Sequence, residues 1–303
     1  MDNSMFLVSP APHVRAKDST TSIMLDVIIA LIPTLIASVI IFGFDALALT
    51  AICVITCVLG EFVFQKICKR DVTVGDLSAV VTGMLLAFNL PASLDIWWQA
   101  IIGSLVAIIV VKQLFGGIGK NFANPAITAR VMMLISFSGA MSKFPAVNDA
   151  ISSATPLSGG EMPSYLRLFL GNHGGSLGET CALTLLIGGA YLLVRRVITW
   201  HTPVAFVGTV FLFALILGEN PVQHILTGGL LLGAIFMATD YSTTPPTKWG
   251  KVIFGVGCGL ITVLIRVFGS YPEGVSFAIL FMNILTPHIT SLTRRKVFGG
   301  VKK

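Results

Sequence analysis

The chain of 303 residues is 54% hydrophobic and only 11% charged, with a mean hydropathy of +0.88 and a formal net charge of +6. Soluble domains carry about 25% charged residues, and a charge at the centre of a membrane helix costs roughly 2.5–3.5 kcal/mol on insertion scales. The composition therefore excludes a soluble domain and predicts a polytopic membrane protein.

Residues 1–20 lack the basic stretch and short apolar core of a signal peptide, so the first apolar run is expected to be retained as a span. Ten apolar segments are read in chain order: 23–42, 46–67, 77–90, 97–115, 126–141, 177–194, 203–218, 222–239, 251–268 and 275–292. The third is the shortest and ends at Asn89-Leu90-Pro91, while the eighth is glycine-rich and runs into Asp240 and Pro245-Pro246. Short or interrupted helices of this kind line sites instead of facing lipid.

With the N-terminus placed inside, the basic residues gather in alternate loops. Of the 20 Lys and Arg residues, all but Lys143, Arg167 and Arg266 fall on the inner side. The outer side holds Asp45, Asp95, Asp149, Glu161, Glu179, Glu219 and Glu273. This alternation predicts ten spans with both termini cytoplasmic, and it accounts for the basic balance without nucleic acid. The longest loop, 142–176, then lies outside and is expected to hold one short helix near 163–170.

The expected fold is all-α: ten transmembrane helices in two inverted five-helix repeats, 1–141 and 177–303, around the outer loop 142–176. An odd number of spans per half forces opposite orientations. Thr82-Gly83 before Leu85-Leu86 echoes Thr227-Gly228 before Leu230-Leu231, and Asn124-Pro125 echoes Tyr271-Pro272. Inverted repeats place their sites where broken helices meet.

Five cysteines, Cys53, Cys57, Cys68, Cys181 and Cys258, form no C-x-x-C pair and read as reduced, buried packing residues. Two thiols at i, i+4 (Cys53 and Cys57) do not complete a four-cysteine iron–sulfur site. No metal site, HExxH motif or Ser/His/Asp pattern is present, so the chain holds no complete active site of its own.

The outer loop carries DAISSATPL (149–157), in which Asp149 precedes a Ser-Ser-Ala-Thr run ending at Thr155. This resembles the acceptor signature D-x-x-S-G/S-A-T of covalently flavinylated proteins. Three further islands resemble one family: Ser9-Pro10-Ala11-Pro12-His13-Val14-Arg15 with IMLDVIIALIP (23–33), FGGIGKNFANPA (115–126) and MATDYSTTP (237–245). Together they resemble the RnfD/NqrB family over nearly the whole chain. The short stretch before the first span favours the Rnf branch over the quinone-linked branch. Ser153 stands where glycine is commonest in the signature, and Tyr241-Ser242 replaces the family's usual Pro-Val.

The resemblance implies a membrane electron-transfer subunit with FMN esterified through its phosphate to Thr155 by a flavin transferase, which Asp149 would help to recognise the loop. It implies an Rnf-type complex in a bacterial or archaeal cytoplasmic membrane, coupling ferredoxin:NAD electron transfer to Na+ or H+ translocation. The partners are the other subunits, including a second FMN-bearing subunit and iron–sulfur subunits. The resemblance also links the inner loop at 115–126 to a second, noncovalent flavin, riboflavin. The alternatives are an NqrB-like subunit of a Na+-pumping NADH:quinone oxidoreductase, or a urea- or ammonium-like channel without cofactor.

Residue chemistry leaves further choices open. Asn121 and Asn124 offer amides to the pyrimidine side of a flavin, or Asn124 before Pro125 caps the fifth span. Glu61 either pairs with Lys66 or serves an ion path. Asp240 beside the broken eighth segment is the other ion-path candidate. Arg266 is expected to pair with an outer carboxylate or with the flavin phosphate.

Overall fold

The computed structural model describes residues 19–144, 164–171, 174–179, 181–269 and 274–294. Among them every regular element is helical, and a lone antiparallel bridge joins Pro91 to Ser176. Helix falls within each of the ten predicted segments, the eighth only in separate pieces: α1 (Thr20–Phe42), α2 (Phe44–Ile67), α3 (Ser78–Phe88), α4 (Trp97–Leu105), α5 (Pro125–Ser136), α6 (Ala182–Val194), α7 (His201–Ile216), α8 (Leu230–Leu232), α9 (Lys248–Phe268) and α10 (Val275–Thr293). Short helices at Ser138–Met141, Tyr165–Leu170 and Pro221–Leu226 lie between them. The helix at Tyr165–Leu170 is the one expected in the outer loop. Thr155 and Asp149 lie outside the described residues.

Among the described residues four helices, α1, α2, α9 and α10, are long and apolar enough to cross a membrane. Their exposed faces carry large apolar side chains such as Ile40, Phe44, Ile55 and Phe281, which is the surface a bilayer solvates. This is a multi-pass membrane protein. By contrast α3 has 11 residues, almost all buried, and at 1.5 Å per residue covers only about half of a 30 Å hydrocarbon core. It is an inner element shielded by its neighbours.

Two helices widen into π-helix before they end. α4 runs into a π stretch at Val106–Gln113, and α8 into another at Gly233–Met237. Each π stretch leads into one of the two inner motifs, 115–126 and 237–245. π segments are uncommon and concentrate at functional sites.

Close helix contacts are set by glycine. A Cβ on Gly255 would lie 2.8 Å from the carbonyl oxygen of Thr202, and one on Gly259 2.9 Å from that of Phe206. This G-x-x-x-G pair lets α9 press on the backbone of α7, as small residues do at membrane helix interfaces.

The ends of α2 and α6 are built alike. Arg70 N–H donates to Gln65 O (2.9 Å) and Lys69 N–H to Lys66 O (3.2 Å); Val197 N–H donates to Leu192 O (2.9 Å) and Arg196 N–H to Leu193 O (3.1 Å). Both are Schellman caps, and the left-handed position normally taken by glycine is held by Lys69 (φ 52°) and Arg196 (φ 59°). A positive charge there faces the negative end of the helix dipole, which offsets part of the strain.

The Thr-Gly echo does not fall at equivalent places. Thr82-Gly83 lies inside α3, where a Cβ on Gly83 would meet Val54 Cα at 2.7 Å, whereas Thr227-Gly228 precede α8. Tyr271-Pro272, the other half of the second echo, lies outside the described residues. Similar apolar composition, not equivalent position, produced the Thr-Gly match.

Candidate functional site

Asn124 is both a cap and a bridge. Its Oδ1 accepts from the N–H groups of Ala126 (3.0 Å) and Ile127 (3.3 Å), fixing the start of α5 just before Pro125. Its Nδ2 donates to Met237 O across the molecule (3.4 Å). The capping alternative is therefore what this side chain does, and most of its hydrogen-bonding capacity is committed to protein.

Asn283 on α10 completes the junction. With its amide oriented to suit its neighbours, it accepts from Asn124 N–H (3.1 Å) and donates to Thr243 O (3.2 Å). Thr286, one turn on, also donates to Thr243 O (2.8 Å). The two motifs at 115–126 and 237–245, far apart in sequence, are thus tied together by one helix. Nothing in the sequence around Asn283 singled it out, since an asparagine in an apolar helix carries no motif.

Around this junction the loops enclose connected spaces. A cavity of about 100 Å³ is bordered by Lys112, Asn121, Asn124 and Asp240. One of about 220 Å³ runs from Asn121 to Pro287, and one of about 370 Å³ opens between α1, Ile118 and Asp240. Asn121 borders the first two, and its Oδ1 is buried without a hydrogen-bond partner in the structure. A buried acceptor left unpaired costs about 1–3 kcal/mol, so this oxygen suits a ligand N–H donor.

Asp240 is half-buried and accepts from the hydroxyls of Ser242 (3.0 Å) and Thr243 (3.1 Å). Burial raises its carboxyl above the usual value, and these hydrogen bonds oppose the rise. The Tyr241-Ser242 departure is put to use: Ser242 holds the carboxylate, and the Tyr241 hydroxyl donates to Val197 O.

Glu61 does not pair with Lys66. It is fully buried, and both its oxygens accept from Lys112 Nζ (3.0 and 2.8 Å). Gln113 Nε2 donates to it as well (2.7 Å), and Lys112 donates in addition to Ser78 Oγ (2.6 Å). Lys66 instead lies 5.4 Å over the ring of Phe62. The reason is helical phase: five residues place Lys66 about 140° round α2 from Glu61, on the outer face. Lys112, read in the sequence as one more inner-side charge, is 2% exposed. The signal that identified it was present: a lysine at the end of IIVVKQ, inside an apolar segment, calls for a buried partner.

Arg266 donates to the carbonyl oxygens of His224, Thr227 (3.0 Å) and Gly228 (3.0 Å), holding the turn before α8. Four of the five cysteines are buried as expected, but Cys68 is exposed at the end of α2. All five are free thiols, and no group of three or more metal-ligating side chains occurs among the described residues.

A model of the NQR2, RnfD, RnfE family matches residues 7–299 of this chain. The chain belongs to that family. It is similar to the D subunit of the Na(+)-translocating ferredoxin:NAD(+) oxidoreductase complex of Acetobacterium woodii, at 49% identity over 100% of this chain and 98% of the relative. The D subunit of the proton-translocating ferredoxin:NAD(+) oxidoreductase complex of Clostridium ljungdahlii is 38% identical, covering 98% and 97% of the two chains. The D subunit of an ion-translocating oxidoreductase complex of Escherichia coli is 34% identical, covering 98% and 99%. Within this family framework, the islands at 115–126 and 237–245 that carried the resemblance are the two loops that Asn124 and Asn283 join.

Proposed function

We propose that this chain is the D subunit of an Rnf-type complex in a prokaryotic cytoplasmic membrane, which couples electron transfer between ferredoxin and NAD to translocation of Na+ or H+. The observation that carries this reading is the full-length 49% identity to a D subunit of a ferredoxin:NAD(+) oxidoreductase complex; the D-x-x-S-S-A-T acceptor sequence ending at Thr155 agrees with it. Full-length similarity to complex subunits argues against a channel. Iron–sulfur and nicotinamide chemistry belongs on this reading to the partner subunits; the absence of a four-cysteine pattern supports the iron–sulfur part of it.

On this reading the Thr155 hydroxyl holds FMN as a phosphoester in the outer loop, attached by a flavin transferase. The bound flavin supplies a site that accepts and releases electrons. Asn121 accepts from the imide N–H of a second, noncovalent flavin, riboflavin, at the inner junction, and Asn124 keeps the two loops in register around it. Of the two ion-path carboxylates, Asp240 is the better suited to a cation. Its partners are hydroxyls and N–H groups, whereas an ion at Glu61 must displace the Lys112 ammonium. The ten segments form ten passes in two inverted halves, with both termini cytoplasmic and the Thr155 loop outside.

The test is flavin fluorescence of the denatured subunit in a gel, after expression beside its transferase. The wild-type band fluoresces and Thr155→Ala is dark; a fluorescent Thr155→Ala band overturns the attachment. Orientation is read on a cysteine-free background with an impermeant thiol reagent applied from outside. Asn148→Cys labels and Arg70→Cys does not; the reverse pattern overturns the topology.

A further inference from the structure

A cavity of about 280 Å³ lies between the end of α6, the N-terminus of α7, the Asp240 loop and the first turn of α9. Arg196 and Lys251 border it with Thr199 and Thr202. We propose that it is a phosphoryl-binding site that seats the headgroup of an anionic phospholipid. The proposal rests on the reading of this end of the helices as the basic, cytoplasmic side, and on nothing about flavin.

The donor set is suited to a phosphate. Lys251 Nζ spends one of its three donors on Thr199 Oγ1 (3.0 Å), which leaves that hydroxyl's own proton to give. Arg196 makes no ion pair among the described residues. The first N–H groups of α7 have no side-chain cap, so the positive end of a 16-residue helix adds to the field. Asp240 also borders the cavity, and its oxygens are occupied by Ser242 and Thr243. Two cations against one engaged carboxylate leave the cavity with a net positive lining.

Arg196 occupies a left-handed position that glycine fills at less cost. That cap sets the Arg196 backbone at the cavity wall, where its side chain is exposed. Trp200 and Trp249, 59% and 75% exposed, stand beside the lining residues on either side. Exposed indoles at helix ends sit at headgroup level in a membrane, and basic pockets between helices on the cytoplasmic side are suited to anionic headgroups. These indoles favour a lipid over a free phosphate as the source of the phosphoryl group.

The experiment uses the intact purified complex in detergent, stripped of lipid, with melting temperature as readout. The probes are phosphatidylglycerol, phosphatidylcholine and inorganic phosphate. Phosphatidylglycerol raises the melting temperature of the wild type, and the other two do not. Arg196→Gly combined with Lys251→Gln requires at least about tenfold more phosphatidylglycerol for the same shift, as loss of about 1.4 kcal/mol of binding dictates. Arg196→Gly alone shifts the response in the same direction without a folding penalty, because glycine adopts that left-handed cap position at less cost than arginine. Lys69→Gly, the same change in the equivalent cap of α2, leaves the response unchanged. A double variant that responds like wild type overturns the site. A response to phosphatidylcholine equal to that for phosphatidylglycerol overturns the anionic headgroup. A response to inorganic phosphate without one to phosphatidylglycerol overturns the lipid source. None of these outcomes touches the Thr155 fluorescence result, so the two readings fail separately.

Discussion

Lys112 and Glu61 form an ion pair of 2.8 Å in which neither side chain is more than 2% exposed. It joins the π stretch after α4 to the last third of α2; Lys112 also donates to Ser78, and Gln113 and Gln65 donate to Glu61. Removing one member of a buried pair strands a charge and costs about 3–5 kcal/mol, whereas replacing both by well-packed neutral groups is often nearly neutral. Lys112→Met is therefore expected to lower the thermal stability of the complex sharply, and the double variant Glu61→Gln, Lys112→Met to recover most of it. Lys66→Ala is expected to leave stability unchanged. A double variant no better than the single would show that the pair does not act as a unit.

The two inner asparagines are expected to separate in function. Asn124→Leu removes a helix cap, at about 1 kcal/mol, together with the bond to Met237, so it lowers stability. Asn121→Leu removes an oxygen without a protein partner and leaves stability nearly unchanged. On the proposed reading both changes made together strip the noncovalent flavin while Thr155 stays modified. Losing the Asn121 hydrogen bond, about 1 kcal/mol, weakens binding roughly fivefold, and loosening the two loops at Asn124 weakens it further. Acid-released flavin, counted against the covalent fraction, measures this. Unchanged release from a well-folded double variant would confine both residues to structural roles.

Asp240 gives a pH signature. Its carboxyl is raised by burial, so the fold binds that proton more tightly than the unfolded chain does. The stability from this proton is fully present below the unfolded-chain value and is lost as pH rises through the folded one. Asp240→Asn is therefore expected to flatten the fall of melting temperature with rising pH above the ordinary carboxylate range. Parallel melting curves for the two proteins between about pH 4 and pH 7 would remove Asp240 as the cause.

At the α7–α9 contact, Gly259→Leu is expected to destabilise the protein by about 1–3 kcal/mol through overpacking. Gly208→Ala on α7, where a Cβ meets nothing within 4 Å, is the control. Melting of the two variants side by side checks it; equal stability would mean that the helices separate freely.

The positions of the ten helical segments were legible in the sequence, because a bilayer demands apolar stretches and the chain obeys that demand locally. The shortness of the third segment and the glycine-rich break in the eighth were legible for the same reason, as were the cap at Asn124-Pro125 and the islands that carry the family resemblance. Pairing was not. Whether Glu61 met Lys66 or Lys112 turned on the phase of α2 against a neighbouring helix 51 residues on, which no local pattern encodes. Arg266 donates to three carbonyl oxygens because the turn before α8 lies within its reach, contacts that its charge alone did not indicate. Asn283 became the link between the two inner motifs only once α10 was packed against both. Local hydrophobicity fixes where the helices are; long-range packing decides which buried polar groups must satisfy one another.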